Sequence, residues 1–285
     1  SMSKLRILIA GCGDVGSALG IQLATQGHHV YGLKRTINQL PDCIHAISAD
    51  LCDTETLSDL PNTDILVYCA AATGRSEIAY QQAYIDGLEN IYAALPKPPK
   101  HLFFTSSTSV YEQHQHEWVD EQSPTEPSQP SGRIMLQAEQ RVLEKGKATV
   151  VRFSGIYGPG RNHLINTVQA GTIAPQEPLH YSNRIHRDDC AGVLAHLIQK
   201  VNSGHKIEPI YLASDPNPTS IHEITTWLAE QLNVHITQET PIRRGGSKRC
   251  NNQRLQQSGY QFVYPDYKAG FQAGLKEKPA LAIDH

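Results

Sequence analysis

Six consecutive residues near the start of the chain have the types and the spacing of a phosphate-binding loop. They are Gly11, Cys12, Gly13, Asp14, Val15 and Gly16. In such a loop the first glycine makes a tight turn, the second lets backbone amides approach a pyrophosphate, and the third lets a helix pack closely. The positive N-terminal end of that helix then faces the phosphates. The loop predicts a dinucleotide held by Gly11, Gly13, Asp14, Val15 and Gly16, and the alternative is a glycine-rich turn without a ligand.

Two cations, Lys34 and Arg35, stand where the second predicted strand ends. A site specific for NAD would place an acidic residue there to hold the ribose 2′-hydroxyl, and the sequence has none at this point. Arg35 can bind a 2′-phosphate through paired hydrogen bonds, and Lys34 can act as a point charge. These residues favour NADP(H), with NAD(H) as the second choice. The alternative is a solvated Lys–Arg pair at a strand end.

Asp50 and Leu51 follow the third predicted strand, where they could contact the adenine ring of such a cofactor. As an alternative, Asp50 caps a helix near Thr54, since aspartate side chains accept hydrogen bonds from the first amides of helices. The sequence leaves both interpretations open.

The elements that must position these residues follow an alternating pattern. Short apolar runs rich in β-branched residues alternate with helical periodicity through the first half of the chain, which is typical of βαβ units. The predicted strands cover residues 5–10, 29–33, 44–48, 65–69 and 101–105, and the predicted helices cover 15–26 and 77–94. This pattern predicts an α/β fold with a Rossmann-type, doubly wound parallel sheet.

The second half of the chain is less regular. Residues 113–131 are polar and rich in proline, which predicts a long loop. Further helices are predicted at 134–145, 162–170, 188–201 and 221–232, and further strands at 149–153 and 209–212. We expect residues 1–155 to form an NAD(P)-binding Rossmann domain. Residues 156–285 are expected to complete the sheet and to form a small C-terminal substrate-binding lobe.

The composition argues against several classes of protein. The 285 residues include 25 Lys and Arg and 28 Asp and Glu, a formal net charge of −3, so the sequence lacks the basic footprint of a nucleic-acid-binding protein. The six cysteines lack the spacing of zinc or redox motifs, which favours reduced, mostly buried thiols and no metal site. No segment resembles a signal peptide or a membrane span. We expect a cytoplasmic monomer or homodimer with no membrane partner, and we interpret Ser1 as an expression scar.

Five blocks of sequence occur in the order of a known family. They are the glycine loop, Ala70-Ala71-Ala72, Ser106 to Tyr111, Ser154 to Arg161, and Arg184 to Asp189. The chain resembles the extended short-chain dehydrogenase/reductase superfamily, of the NAD-dependent epimerase/dehydratase type. The resemblance implies cofactor contacts by Ala70, Ala71, Ala72 and Tyr157. It also implies that Ser107 orients a substrate hydroxyl or carbonyl.

The resemblance breaks at the residues that transfer the proton. In this family a Tyr-x-x-x-Lys pair on one helix face acts as the acid/base, and the lysine lowers the pKa of the tyrosine. The aligned positions here are Ser131 and Met135. A serine hydroxyl is too weak an acid for that task, and methionine supplies no charge. Tyr111 is our candidate for the missing group, while Tyr157 and several histidines are alternatives.

The resemblance also points to residues on the substrate side. Arg161, Arg184 and His186 lie in the matching blocks, and Arg133 could bind an anionic group or stay solvated. Residues 243–249 are the most basic stretch, which either holds a diphosphate or forms a mobile solvated loop, and we favour the loop.

Two functions follow from these features. The first is an NAD(P)-binding, epimerase/dehydratase-like oxidoreductase that acts on a sugar-like or other small hydroxyl or carbonyl substrate. The second is a non-catalytic NADP-binding sensor or scaffold, motivated by Ser131 and Met135.

Overall fold

The computed structural model describes residues 3–242 and 245–277. Its strands are, in chain order, β1 (Arg6–Ala10), β2 (His29–Lys34), β3 (His45–Ser48), β4 (Ile65–Tyr68), β5 (His101–Ser107), β6 (Glu117–Val119), β7 (Ala148–Phe153), β8 (Gly155–Tyr157), β9 (Thr172–Ile173), β10 (Tyr181–Ser182), β11 (Arg184–His186), β12 (Ile210–Ala213), β13 (Thr219–Ser220), β14 (Gln238–Glu239) and β15 (Lys248–Cys250).

The helices are, in chain order, α1 (Asp14–Thr25), α2 (Glu77–Gln81), α3 (Gly87–Ala94), α4 (Pro130–Glu144), α5 (His163–Gln169), α6 (Arg187–Asn202), α7 (Ile221–Leu232), α8 (Gln253–Gln257) and α9 (Tyr267–Glu277). Within the described parts of the chain, none of them combines the length and the apolar character that a membrane span needs.

A parallel sheet of seven strands confirms the predicted Rossmann-type fold. Its order is β3-β2-β1-β4-β5-β7-β12. The chain builds outward from β1 to β3 and then returns to place β4 on the other side of β1, so the connections diverge between β1 and β4. Every residue of β4 and β7 is buried, as expected for strands covered on both faces. In open parallel sheets, ligands bind beyond the carboxyl ends of the strands at this switch point.

The chain forms two compact units, and successive segments of the chain belong alternately to one and to the other. The first takes the chain up to Val110, Thr125–Arg152 and Cys190–Tyr211, and the second takes Tyr111–Pro124, Phe153–Asp189 and the chain from Leu212 onward. The predicted single boundary at residue 155 lies near the Arg152–Phe153 junction. Most of α6 and the start of β12, which lie in the part of the chain that we expect to complete the sheet, belong to the first unit.

The second unit has its own apolar core. Side chains of α5, α7 and α9 pack there, including Leu164, Val168, Ile224, Leu228 and Phe271. Around it are four two-stranded ladders, which pair β10 with β13, β11 with β8, β14 with β9, and β15 with β6.

The predicted helix at residues 77–94 is present, with one widened turn. Between α2 and α3, Gln82–Asp86 adopt π-helical geometry. At this turn the Tyr68 hydroxyl donates a hydrogen bond to the carbonyl of Ala83 at 2.5 Å. Insertion of a side-chain donor into the helix ladder accounts for the local widening.

The thiols are less uniformly buried than the composition suggested. Cys12, Cys190 and Cys250 are buried and Cys69 is intermediate, but Cys43 and Cys52 are exposed. All six are free.

Candidate functional site

The glycine loop lies at the switch point of the sheet. The amides of Gly11 and Cys12 both donate to the carbonyl of Leu33 at the end of β2, at 2.9 and 3.0 Å. Gly11 has a positive φ of 76°, and a Cβ there would overlap the backbone of Ala70 beyond β4. Only glycine permits both the left-handed turn and this close approach. The loop thereby joins the carboxyl ends of β1, β2 and β4.

The other two glycines of the loop occupy contrasting environments. A Cβ on Gly16 would lie 3.0 Å from Cγ2 of Ile9, so α1 packs closely on β1 at this residue. A Cβ on Gly13 would meet no atom within 4 Å, and Gly13 is exposed directly before α1. The open space beside the positive end of a 12-residue helix fits a pyrophosphate.

Asp14 and Val15 form the first turn of α1. The amide of Val15 donates to the Oδ1 of Asp14 at 2.8 Å, so the acidic side chain folds back onto the helix N-terminus. A carboxylate at this end of a helix is favourable in the absence of a bound anion.

The charged residues Lys34, which ends β2, and Arg35, which follows it, lie at the same edge of the sheet. The carbonyl of Lys34 accepts the amide of Ala49 at 3.2 Å, and the carbonyl of Arg35 accepts the hydroxyl of Ser48 at 3.0 Å. The Arg35 side chain is exposed. Burial raises the pKa of the Cys12 thiol in the glycine loop, whereas Ser17 and the charge of Lys34 act in the opposite direction. The ammonium of Lys34 is therefore close enough to the glycine loop to lower the pKa of this thiol.

Asp50 and Leu51 form a turn at this edge. The Oδ1 of Asp50 accepts the amide of Cys52 at 2.9 Å, and the carbonyl of Leu51 accepts Nδ2 of Asn90 at 2.8 Å. The short helical turn at Thr54–Leu57 is capped by Asp53, whose Oδ1 accepts the amide of Glu55 at 3.2 Å. Helix capping, the alternative considered for Asp50, therefore belongs to Asp53.

Two serine hydroxyls form a pair after β5. The Oγ atoms of Ser107 and Ser109 lie 2.5 Å apart, and the amide of Ser109 donates to Ser107 Oγ at 3.1 Å. The start of α4 packs against the backbone of Ser109, because a Cβ on Gly132 would lie 2.5 Å from the carbonyl oxygen of Ser109. Ser131, the residue that we expect at the position of the family's tyrosine, directly precedes Gly132.

Met135, which we expect at the position of the family's lysine, is 5% exposed. It lies on the buried face of α4, one turn after Ser131. The exposed Arg133 extends from the same helix. Met135 is thus a packed thioether on this helix.

Sequence reasoning missed a buried ion pair beside these serines. Arg152 on β7 donates through Nη2 to Oε1 of Glu139 at 2.7 Å and through Nε to Oε2 at 3.0 Å. Ser106 donates to the same carboxylate at 2.5 Å. The pair ties β5 and β7 to α4 immediately before Ser107. In the sequence, the only indication of this ion pair is an arginine within an otherwise apolar strand.

In the second unit, the two candidate tyrosines have buried hydroxyls that donate to backbone carbonyls. Tyr111 is 3% exposed and donates to Asp120 at 2.7 Å. Tyr157 is also 3% exposed, donates to the carbonyl of Asp266 at 3.3 Å, and packs on Phe271. Burial raises the pKa of Tyr157 above its usual range. This geometry favours packing roles and gives no support to Tyr111 as an acid/base group.

The predicted substrate residues of this unit lie on or beside the β8–β11 ladder. His186 is 3% exposed, its Nδ1 accepts the amide of Asp188 at 3.0 Å, and burial lowers its pKa. Arg184 pairs in register with Gly155, and Arg161 is exposed beside Gly158. His186 is therefore a packed ring whose Nδ1 is held by the backbone of Asp188.

A buried carboxyl next to Arg184 escaped sequence analysis. Asp215 is 3% exposed, and its amide donates to the carbonyl of Arg184 at 2.8 Å. Burial raises its pKa to about 8, as do the charges of Asp266 and Asp189, whereas the amide of Asn217 and the charge of Arg184 oppose the rise. A carboxyl that titrates near neutrality in this position is a candidate functional group.

The described part of the basic stretch, residues 245–249, leads into a paired strand and is not a solvated loop. Arg243 and Arg244 lie outside the described residues, but Lys248–Cys250 form β15 against β6. Ser247 and Lys248 are 5% and 7% exposed. The pairing of β15 with β6, which lies far away in the sequence, outweighs the tendency of glycine and charged residues to form a loop.

These features agree with a comparison against protein families. The model of the RmlD substrate binding domain matches residues 5–277, almost the whole described chain. The chain belongs to this family. Its resemblance to the extended short-chain dehydrogenases/reductases of the epimerase/dehydratase type is thereby confirmed. Comparison with the curated proteins finds no match.

Solved structures resemble this RmlD-family chain over nearly its full length. A Methylobacillus flagellatus protein assigned as an NAD-dependent epimerase/dehydratase is 38% identical, with a TM-score of 0.84 over 97% of this chain and 100% of its own. The human epimerase family protein SDR39U1 (isoform 2), solved with NADPH, is 21% identical, with a TM-score of 0.74 over 93% and 97%. UDP-glucuronic acid 4-epimerase from Bacillus cereus, solved with NAD, is 20% identical, with a TM-score of 0.75 over 91% and 94%. The last two likenesses show the fold alone.

Proposed function

We propose that this chain binds NADP(H) at the Gly11–Gly16 loop and acts as an epimerase/dehydratase-like oxidoreductase on a sugar-like hydroxyl or carbonyl compound. The observation that carries the proposal is the open space at Gly13, beside the N-terminus of α1 and at the switch point of the sheet. The family, the assignment of the M. flagellatus relative and the cofactors of the human and B. cereus proteins support a nicotinamide cofactor.

The proposed contacts to the cofactor use the residues at this edge. The amides at the start of α1 would face the pyrophosphate, and Ala70 would border it through its contact with Gly11. Arg35, with Lys34 beside it, would hold a 2′-phosphate. The adenine would lie near Asp50 and Leu51. When bound, a nicotinamide would exchange a hydride with the substrate carbon.

The proposed role of Ser107 is to donate a hydrogen bond that orients and polarises the substrate oxygen. Its Oγ accepts the amide of Ser109 and lies 2.5 Å from Ser109 Oγ, so Ser109 holds the hydroxyl in place. The proton that the substrate oxygen gains or loses would be exchanged with water, since a serine hydroxyl is too weak an acid to supply it. Because Ser131 and Met135 replace the family's tyrosine and lysine, we expect slow turnover.

Met135 favours the second candidate function, a non-catalytic NADP-binding sensor or scaffold. A buried thioether at the lysine position removes the charge on which the family's proton transfer depends. In this case the glycine loop would bind the cofactor and no hydride transfer would follow.

One set of assays separates the two functions. NADPH and NADH affinities are measured for the wild type, Arg35→Ala and the exposed control Arg141→Ala, followed by turnover with a panel of nucleotide sugars and small carbonyl compounds. We expect a selective loss of NADPH affinity of at least about tenfold in Arg35→Ala alone, since a charge-assisted contact is lost. Equal NADPH and NADH affinities in the wild type would contradict the cofactor preference.

Turnover decides between enzyme and sensor. An enzyme should lose activity in Ser107→Ala and keep most of it in Ser131→Ala, while the double variant Ser131→Tyr/Met135→Lys should turn over faster than the wild type. Tight NADPH binding with no turnover across the panel supports the sensor. No binding of either cofactor rejects both functions.

A further inference from the structure

The second unit carries an open cleft beside the β6–β15 ladder, with a volume of about 470 Å³. The aromatic residue that lines it is Trp118, the thiol is Cys250, and the amides are Asn251, Asn252, Gln253 and Gln256. None of the described residues that line the cleft carries a formal charge. Its volume lies within the usual range of small-molecule sites, about 300–1,000 Å³.

Trp118 forms an aromatic wall of the cleft and is braced by a cation. It lies on β6, in register with Arg249 on β15, and the Arg249 guanidinium lies 4.8 Å from the centre of the indole ring. Arg249 is itself fixed, because its Nε donates to the carbonyl of His116 at 2.9 Å. Trp118 nevertheless remains 53% exposed. A single exposed aromatic residue is ordinary, but one that borders a cleft supplies apolar contact area to a ligand at little cost in conformational entropy.

The amides around the cleft include one that holds the structure and others that are left for a ligand. Asn252 is 4% exposed, its Nδ2 donates to the carbonyl of Ser214 at 2.7 Å, and its Oδ1 accepts Nε2 of Gln256 at 2.7 Å. Asn251 Oδ1 accepts the backbone amide of Gln253 at 2.9 Å. Gln253 and Gln256 are exposed on the same face of α8. Within the described chain, no hydrogen bond uses Nδ2 of Asn251, the side chain of Gln253 or Oε1 of Gln256.

The thiol that lines the cleft is neutral. Cys250 is 1% exposed, and burial raises the pKa of its thiol to about 12, although nearby Lys248 lowers it. The lining therefore offers no counter-charge to an ionic ligand and suits a neutral one. Asparagine and glutamine side chains both donate and accept hydrogen bonds, as hydroxyl groups do. A pyranose ring matches both parts of the cleft, because it has C–H groups on its faces for the indole and hydroxyls at its rim for the amides.

We propose that this cleft binds a neutral mono- or disaccharide, with one pyranose ring against Trp118 and its hydroxyls bonded to Asn251, Gln253 and Gln256. This binding site goes beyond the proposed function and does not rest on it, since its residues all belong to the second unit and binding needs no nucleotide. A nucleobase would also stack on the indole. Amides that come from a loop and a helix suit the hydroxyls around a sugar ring better than the in-plane edge of a base.

Tryptophan fluorescence measures this binding directly, because the chain contains two tryptophans, Trp118 and Trp227. Trp227 packs edge-on against Tyr267, so Trp227→Phe keeps an aromatic ring there and leaves Trp118 as the single emitter. This protein is titrated with D-galactose, N-acetyl-D-glucosamine, maltose and cellobiose, and separately with uridine and adenosine. We expect at least one of the four sugars to shift the Trp118 emission to shorter wavelength and to protect it from acrylamide quenching, since the sugar removes the indole from water.

Calorimetric affinities for that sugar test the residues of the cleft. The proteins are the wild type, Trp118→Ala, Gln253→Ala and the matched control Gln257→Ala, whose exposed amide is on α8 but does not line the cleft. We expect Trp118→Ala to weaken binding at least about tenfold and Gln253→Ala at least about threefold. Gln257→Ala should keep the wild-type affinity. The substituted side chains are exposed, so each Tm should stay within a few degrees of the wild type.

Three results would overturn the proposal: no response to any of the four sugars, a response to a nucleoside only, or wild-type affinity in Trp118→Ala. If Trp118→Ala does not fold, Gln253→Ala decides in its place, and wild-type affinity in that variant overturns the proposal. Failure of NADPH to bind would reject the proposed function and leave the sugar affinities as they stand.

Discussion

The glycines of the phosphate-binding loop differ in what surrounds them, in line with the separate roles that the sequence motif gives them. Gly16 is pressed against Ile9 on β1, whereas Gly13 faces open space beside α1. The first is needed for the fold, and the second is available to a ligand. Substitution at the two positions should therefore have opposite consequences for stability and for binding.

Gly13→Val should leave the Tm within a few degrees of the wild type and abolish NADPH binding, since the new side chain fills the space proposed for the pyrophosphate. Gly16→Val is the matched control, and it should lower the free energy of unfolding by about 1–3 kcal/mol because its side chain overpacks the contact with Ile9. Urea unfolding and NADPH titration measure the two effects. Retained NADPH affinity in Gly13→Val would exclude the loop as the cofactor site.

Helix α4 contributes residues both to the candidate site and to the buried interior of the fold. Its first turn packs Gly132 against the backbone of Ser109, and its third turn carries Glu139 into the buried pair with Arg152. The side chains of Glu139 and Arg152 are 2% and 4% exposed. The pair also accepts the hydroxyl of Ser106, so the end of β5 that carries Ser107 depends on it.

Glu139→Ala should lower the free energy of unfolding by about 3–5 kcal/mol, because it leaves the Arg152 guanidinium buried without its carboxylate. Glu144→Ala, at an exposed position of the same helix, should change it by no more than about 0.5 kcal/mol. The double variant Glu139→Leu/Arg152→Met should recover much of the loss, since it removes both charges. Equal effects of Glu139→Ala and Glu144→Ala in urea unfolding would show that the pair contributes little.

At the scale of the whole molecule, buried titratable groups couple the free energy of unfolding to pH. The carboxyl of Asp215 has its pKa raised to about 8, against an ordinary 3.8, mainly by burial. The imidazole of His101 has its pKa lowered to about 4, also mainly by burial. Asp215 therefore penalises the folded state at high pH, and His101 penalises it at low pH.

The proton bound to Asp215 makes the stability of the folded chain decrease as the pH rises. Between about pH 4 and pH 8 the folded chain holds a proton on this carboxyl that the unfolded chain releases, so stability falls as the pH rises through that range. Asp215→Asn stays neutral and can still accept the amide of Asn217, which lies 2.8 Å from Oδ1. The variant should match the wild type near pH 4 and be more stable by at least about 2 kcal/mol at pH 8.

Urea unfolding at pH 4 to 8 measures this difference, with the exposed Asp59→Asn as the control. The control should follow the wild-type pH dependence. Parallel curves for the wild type and Asp215→Asn would mean that the carboxyl is ionised in the folded chain.

The sequence by itself determined the order of the elements, the parallel sheet and the position of the phosphate-binding loop. Glycine spacing, apolar runs and helical periodicity are local patterns, and residues a few positions apart suffice to specify them. The sequence is also the basis on which we expect Ser131 and Met135 at the positions of the family's tyrosine and lysine.

Only the tertiary structure decided which polar groups of the described residues are engaged by a partner and which are buried without one. The hydroxyl of Tyr157 is bound to a residue 109 positions away, and His116 meets Ser247 from 131 positions away. Burial, and with it the raised pKa of Asp215 and the desolvation of the Lys248 ammonium, depends on such long-range contacts. No local pattern encodes them, because desolvation is set by everything that packs around a group and not by its neighbours in the chain.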